Sequence, residues 1–408
     1  MYEQACLYVR LLVGINLLMN GISKMSKTQG NSPVILQVLP ELETGGVEVG
    51  TVEIATELQN RGIKNFVASQ GGRMVHELEK NKIPHLCLPL KTKNIFKMRA
   101  NAKKLEQFIK ENGINVVHAR SRAPAWSAYW AAKKAGVHYM STFHGTYGLG
   151  LFGIKKLYNR VMTYGEKMIA ISEHIKKHVL KHYKIDESNI RLVHRCADIN
   201  RFSPKAVSPE RMINKIREHN IAEDKPVLLL PGRITRWKGQ HILIEALHLM
   251  KNQNYYCIIA GDSQGRQKYL DYLKKLVNKY KLQGKVGFFG RYNDAPALMM
   301  VSNVVLSTAI EPEAFGRISI EGQAMGKIVV ASNIGGSVET VVDEVTGKLY
   351  QYDNPQELAN ALDWALSLSS DEVKKISKAG IKNVKDNFTK EIMCDKTIKV
   401  YQELVNNS

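Results

Sequence analysis

Two carboxylates and two cations carry the chemistry that this 408-residue sequence offers most plainly. Glu313 and Glu321 stand in Glu313-Ala-Phe-Gly-Arg-Ile-Ser-Ile-Glu321, with seven residues between them. A Gly directly after a Phe, followed by an alternating apolar run, reads as a tight turn opening onto a helix. On one continuous helix the two acids would stand about 12 Å apart, at 1.5 Å of rise per residue. One acid therefore fits the turn and the other the helix that follows. Gly316 and the helix start offer free N–H groups to an anion between them. Arg233 and Lys238 lie in Gly-Arg-Ile-Thr-Arg-Trp-Lys-Gly, directly after an apolar run, with Arg236 between them. Fixed cations at a strand end suit a diphosphate leaving group, whose charge grows as its bond to a sugar breaks. Arg grips an oxygen pair in bidentate fashion, and Lys adds a movable point charge. The plain alternatives are chance surface acids and a solvated basic loop. A nucleotide-sugar, with a polyol at each end and an anion between, matches the full set.

Weaker signals surround this set. Gly45-Gly46 sits where a first strand would turn into a helix, and glycines there let a backbone approach a phosphate or sugar closely. It is not G-x-G-x-x-G, so dinucleotide binding is not supported. Gly335-Gly336, in Asn333-Ile-Gly-Gly-Ser-Val-Glu339, is read as a loop closing over the ligand. His118 and His144 both end apolar runs, and a strand-end His facing a cleft orients a hydroxyl or shuttles a proton. Each could equally be a structural core histidine. Asp-x-Asp is absent, as are a Walker loop and Gly-x-Ser-x-Gly. Cations and a helix end are expected to hold the diphosphate, with no required metal.

The elements that must position these residues alternate strand and helix from Pro33 onward. Apolar runs at 34–39, 66–69, 83–88, 116–118, 138–143, 168–171 and 191–194 read as strands of a first half. Residues 199–224 break the rhythm with Pro204, Pro209 and many charges, and read as a linker with a small helix. Runs at 227–230, 256–260, 286–289, 304–307 and 328–331 form a second half. This alternation means α/β architecture: two doubly wound parallel sheets facing across a cleft, with ligands at the carboxyl ends of the strands.

The net charge is +20. Such a surface attracts polyanions, and with no nucleic-acid motif beside it an anionic membrane ranks above nucleic acid. A lysine-rich composition without a partner is the bland alternative. Hydrophobic content of 44% and a mean hydropathy of −0.24 are those of a soluble globular chain. The five cysteines are scattered without a C-x-x-C pair, which fits a reducing cytoplasm. Residues 5–19 are apolar but interrupted by Arg10 and Asn16, and too short to span a bilayer. The 1–32 extension is open to three readings: an interfacial helix, the product of an upstream start with Met25 as the natural one, or a packed extra helix.

Taken in order, these motifs resemble the retaining glycosyltransferases of family 4, the group 1 family with the GT-B fold. Gly45-Gly46 resembles its N-terminal glycine loop. Thr-Phe-His144-Gly resembles its strand-end histidine, and Ile-Ala-Ile-Ser172-Glu its next strand end. Gly-Arg233 through Lys238-Gly is similar to its phosphate pair, and Glu313 through Glu321 to its E-x7-E signature. Gly335-Gly336-Ser-Val-Glu339 and Thr346-Gly347-Lys-Leu match its closing motifs. The likeness covers about residues 33–405. One departure stands out: Arg195-Cys196-Ala197-Asp198 replaces a family pattern with Gly at the second place, and Cys takes positive φ less freely.

The resemblance implies transfer of a sugar from a nucleotide-diphosphate sugar with its anomeric configuration retained. Arg233 and Lys238 would hold the diphosphate and Glu321 the ribose. Glu313, with the amides of Phe315, Gly316 and Arg317, would hold the sugar and distal phosphate. Glu313 takes a positioning and electrostatic role, beside His144, while His118 and Ser172 are candidate sugar or acceptor contacts. The expected domains are 33–198 on the acceptor side and 225–388 for the donor, with a final helix at 389–408 crossing back to the first. No cofactor is expected beyond the co-substrate, for which a UDP-sugar is favoured over a GDP-sugar. The expected acceptor is a lipid-linked or lipopolysaccharide glycan at the cytoplasmic face of an inner membrane, with no nucleic acid. A GT-B epimerase or phosphorylase is the second enzyme reading, and a non-catalytic membrane- or RNA-binding relative the third.

Overall fold

The computed structural model describes residues 32–43, 45–148, 150, 154–221 and 224–406. The three readings of residues 1–32 fall, but for Ser32, outside the described residues. Among the described residues, thirteen strands form two sheets. The first contains β1 (Ile35–Val38), β2 (Asn65–Ser69), β3 (His85–Cys87), β4 (Val116–Ala119), β5 (His138–Phe143), β6 (Lys167–Ala170) and β7 (Ile190–Leu192). Its order is β3-β2-β1-β4-β5-β6-β7. The second contains β8 (Val227–Pro231), β9 (Tyr256–Ala260), β10 (Val286–Phe289), β11 (Val304–Ser307), β12 (Ile328–Ser332) and β13 (Lys348–Tyr350), in the order β10-β9-β8-β11-β12-β13. All pairings are parallel, with Leu36 opposite both Phe66 and Val117 as an example of register.

The central strands are buried along their whole length because helices cover both faces, and this is why they read as unbroken apolar runs. The two edge strands of the first sheet are shorter than their apolar runs. The 83–88 run pairs only over His85–Cys87, and the 191–194 run is laddered as Ile190–Leu192. An edge strand has one neighbour, so its ladder ends where that neighbour turns away. Strand order reverses between β1 and β4, and again between β8 and β11. These are the topological switch points, where the loops after neighbouring strands part and open a crevice.

The segment at 199–224 carries the helix Pro209–Glu218, and Arg211 fixes it to the second half. The Arg211 guanidinium donates to both Asp294 carboxylate oxygens, at 2.8 and 2.7 Å. The helix Lys390–Asn406 lies against the first sheet. Its Met393, Ile398, Tyr401 and Leu404 share a core with Ile54, Leu58, Val116 and Met140. Among the described residues no helix is long and apolar enough to cross a membrane.

Candidate functional site

The turn after β8 presents two cations differently. Arg233 is exposed, and its guanidinium makes no hydrogen bond or ion pair with the described residues, while its carbonyl accepts from Gln240 at 2.9 Å. Lys238 lies in the short helical turn Arg236–Lys238, mostly buried, and its Nζ donates to Glu313 Oε1 at 2.5 Å. That nitrogen also stands 4.5 Å from the Trp237 ring centre. Glu313 is on the loop after β11, so the loops of two adjacent strands at the second switch point supply the pair.

Gly336 holds that loop from behind. Its N–H donates to the Glu313 carbonyl at 2.8 Å, and a Cβ on it would lie 2.3 Å from Phe315 Cα. Only glycine allows this approach. Gly335-Gly336 therefore backs the Glu313 loop. Phe315 is buried between the His194 and Phe388 rings, at 5.8 and 5.7 Å. Gly316, with φ of 81° and ψ of 51°, then starts the helix Arg317–Ala324, which no side chain caps. Glu321 on this helix is 6% exposed and accepts from Arg317 Nη2 at 2.7 Å through Oε1. Burial pushes the Glu321 carboxyl above its ordinary range, and the Arg317 charge and hydrogen bond oppose this. The second oxygen of each acid, Glu313 and Glu321, has no partner among the described residues.

Across the cleft, a Cβ on Gly46 would lie 3.8 Å from Arg317 Nη1, so the glycine loop faces the start of the Glu321 helix. Arg195 fixes that loop by donating from Nη2 to the Gly46 carbonyl at 2.5 Å. Its guanidinium lies where a Cβ of Gly50 would stand, 1.9 Å from Nη1, so Gly50 is needed for Arg195 to pass. Arg195 and Gly50 were not among the candidates. A glycine four residues after Gly46, inside a helix, was the available signal of a close approach. Cys196 is not among the residues with positive φ, so its replacement of Gly strains nothing. Its Sγ lies 3.7 Å from Glu53 Oε2, and burial pushes the thiol far above its ordinary range.

Two candidates are corrected. His118 does not face the cleft: it is fully buried, with Nδ1 at 2.7 Å from the Tyr401 hydroxyl and Nε2 at 2.7 Å from the Thr142 hydroxyl. Both ring nitrogens tie β4 to β5 and to the last helix. Ser172 is also buried, and its hydroxyl accepts from Ile175 N–H at 3.1 Å and donates to the Ala314 carbonyl at 2.6 Å. It is a helix cap that latches the first half to the Glu313 loop. Glu339 makes a second latch, accepting from the N–H groups of Glu173 and His174 at 2.7 and 2.8 Å. His144 keeps capacity: it is half-buried, and its Nε2 has no hydrogen-bond partner. Burial, then the Arg120 and Arg195 charges, holds it neutral, with a pKa well below the ordinary one. Arg120, at the end of β4 and 2% exposed, was also not a candidate; its Nε has no partner, and burial brings its pKa down to about 10.

Lys238 thus pairs with Glu313 and Arg317 with Glu321, the two acids are joined along the chain through Phe315 and Gly316, and Gly46 faces Arg317. No group of three His, Cys, Asp or Glu among the described residues could hold a metal ion. A cavity of about 800 Å³, lined by Arg236, Trp237, Arg266, Tyr269 and Glu311, adjoins the Lys238 turn and does not include Lys238, Glu313 or Glu321.

Two family models match the chain: Glycosyltransferase Family 4 over residues 44–201 and Glycosyl transferases group 1 over residues 212–383. A crystal structure of a glycosyltransferase from Rickettsia africae is 40% identical, with 93% of this chain and 100% of that one covered and a TM-score of 0.86. Anabaena HepE, solved with UDP and glucose, is 23% identical over 91% of this chain and 100% of its own, with a TM-score of 0.78. The chain is 28% identical to the putative glycosyltransferase YtcC of Bacillus subtilis over 58% of its length, and the match spans 60% of that relative.

Proposed function

Because the chain belongs to the group 1, family 4 glycosyltransferases, with a GT-B fold, we propose that it is a retaining, metal-independent enzyme using a nucleotide-diphosphate sugar. The observation that supports this best is the pairing of each acid with one fixed cation, which leaves one carboxylate oxygen open on each. Glu313 takes a sugar hydroxyl and Glu321 the ribose. Lys238 has three N–H donors and gives one to Glu313, so two remain for phosphate oxygens. Arg233 supplies the second cation, and the uncapped helix start at Gly316 adds backbone donors.

In the transfer step, the acceptor oxygen bonds to the anomeric carbon on the face from which the diphosphate leaves. The carbon–phosphate-oxygen bond breaks, and the acceptor proton passes to the departing phosphate. Glu313 positions the sugar, and the unpartnered His144 is offered as an acceptor-side orienting group. The preferred donor is a UDP-sugar, and HepE, of the same fold, was solved with UDP and glucose. The acceptor is a lipid-linked glycan of lipopolysaccharide-core or related envelope type, reached at the cytoplasmic face of an inner membrane by a peripheral enzyme. The +20 charge supports that site of action.

The test is donor cleavage by the purified chain over UDP-glucose, UDP-galactose, UDP-N-acetylglucosamine and GDP-mannose. At least one donor should be consumed, and Glu313→Ala should reduce its turnover at least 100-fold. A Glu313→Ala protein as active as its parent on every donor would overturn the reading.

A further inference from the structure

The positive charge is concentrated. Residues 80–165 contain 16 Lys and Arg and only two acids, Glu106 and Glu111, a balance of +14 in a chain whose total is +20. The other four-fifths of the sequence holds the remaining +6. Of the 16 cations, Arg120 is buried. Lys93, Lys97, Arg99, Lys103, Lys104 and Arg160 are exposed.

The same segment bears an apolar surface. Phe96, at 76%, is the most exposed large hydrophobic side chain of the described residues, and Leu157 follows at 61%. Ile95 and Tyr164 are also exposed. Ile95, Leu157 and Tyr164 border a hollow of about 430 Å³ that Met98, Trp126 and Trp130 also line, and Phe96 stands next to Ile95 in the chain. Local structure holds this surface in place. Asn94 caps the helix Ile95–Asn112 by accepting from the Phe96 and Lys97 N–H groups, which fixes Ile95 and Phe96 in its first turn. Trp126 is tied by its indole N–H to the Tyr158 carbonyl at 2.9 Å.

We infer that this surface docks the protein onto an anionic lipid bilayer, with Phe96 and Ile95 entering the acyl boundary and the surrounding lysines meeting lipid phosphates. Charge alone would serve RNA equally well. The exposed aliphatic side chains Ile95 and Leu157 offer no face on which a base can stack, whereas a bilayer takes aliphatic side chains below and Trp and Tyr at its headgroup level. Placement agrees. The helix follows β3, so its first turn stands at the carboxyl end of the sheet, where the cleft opens. The surface continues into the loop after β5 through Arg122, which stacks on Tyr147 at 4.2 Å. Docking would bring the cleft mouth to a lipid-borne acceptor. That last step rests on the glycosyltransferase reading above, while the docking itself does not.

The experiment sediments the full chain with vesicles of phosphatidylglycerol and phosphatidylethanolamine, or of phosphatidylcholine alone. Binding is expected to the first and not the second. Lys97→Glu/Lys103→Glu/Lys104→Glu should weaken it on the order of 100-fold and Phe96→Ser about 10-fold. Thermal unfolding and the UDP-induced thermal shift of the variants should match the parent, since none of these side chains supports the core. Parent-like vesicle binding by both variants overturns the assignment of this surface. Equal binding to both vesicle types, or loss of vesicle binding to competing polyuridylate with both variants weakened on that RNA, overturns the choice of partner. A parent protein that binds the anionic vesicles but neither binds UDP nor cleaves a donor leaves the docking surface standing and removes the catalytic reading.

Discussion

The two halves of the molecule use the polar residues at their strand ends in opposite ways. In the first half, His118 and Ser172 are closed into the fold, each with two hydrogen bonds to protein atoms. In the second half, Glu313 and Glu321 are held just as firmly, each by one cation, and one oxygen of each is left over. All four residues stand near strand ends or on the helix that follows one, as ligand-binding residues on such sheets do. What separates them is hydrogen-bonding capacity remaining after the fold has taken its share. Only a group with capacity left can exchange water for a ligand without breaking the structure that places it.

The largest expected effect tests the open side of that comparison. Lys238→Ala removes the cation that fixes Glu313 and would face the diphosphate. Loss of one such donor to a developing anion typically costs 10²- to 10³-fold. Donor turnover should therefore fall by about that factor. Urea unfolding should show a much smaller change, because Lys238 contributes to no hydrophobic core. A Lys238→Ala enzyme with parent kcat/KM would place the diphosphate elsewhere.

His118→Ala tests the closed side. The change leaves a cavity and strips the Tyr401 and Thr142 hydroxyls of a buried partner, a loss of about 2–4 kcal/mol. Turnover per folded molecule should stay within about twofold, since the ring reaches no ligand. A turnover loss like that of Lys238→Ala, with stability intact, would return His118 to the site.

The contrast between these residues explains how far the sequence could be read. Strands β1, β4, β8 and β11 were legible because both their faces are covered and their apolar runs are unbroken. Strand β13 was not read as a strand: Lys348–Tyr350 is three residues at a sheet edge, with a lysine in it. The Glu313–Glu321 motif and the Arg233–Lys238 motif were each legible, being local. Their meeting in a Lys238–Glu313 pair was not, because the residues are 75 apart and only the order β8-β11 joins them. His118 and His144 looked alike, each closing an apolar run. Tyr401, 283 residues from His118, makes the first structural, and no local pattern could announce it. Arg195 stayed hidden for the same reason, since its partner is the Gly46 carbonyl.

Ser172→Ala is a smaller break across the same boundary. It removes a helix cap and the hydrogen bond to the Ala314 carbonyl, with an expected cost of about 1–2 kcal/mol. Because Ala314 adjoins Glu313, KM for the donor should rise more than kcat falls. An unchanged KM would show that this latch holds the halves without steadying the Glu313 loop.

The finest test is the pH dependence of stability. His118 is held neutral in the fold, its pKa driven well below the ordinary value by burial first and by the Arg120 charge second. The unfolded chain protonates this ring near pH 6.5 and the folded chain does not. As pH falls below that point the unfolded state binds more protons, so stability must fall with pH, by up to about 1.4 kcal/mol per unit for one such histidine. His144 behaves in the same direction, as does His178, which burial brings down to about 4. His85 and His174 are also lowered by burial, so five shifted histidines lie in the first half, against His219 and His241 beyond it. Acid should therefore loosen the first half before the second. Trp126 and Trp130 report on one and Trp237 and Trp364 on the other, and fluorescence of variants retaining one pair should change first for the Trp126–Trp130 pair between pH 6.5 and 5. In urea titrations over the same window, His118→Ala should flatten the slope of stability against pH by up to one proton's worth. A parallel slope in parent and variant would mean that the buried ring titrates as freely in the fold as out of it, and burial beside the Arg120 charge could not then be what holds it neutral.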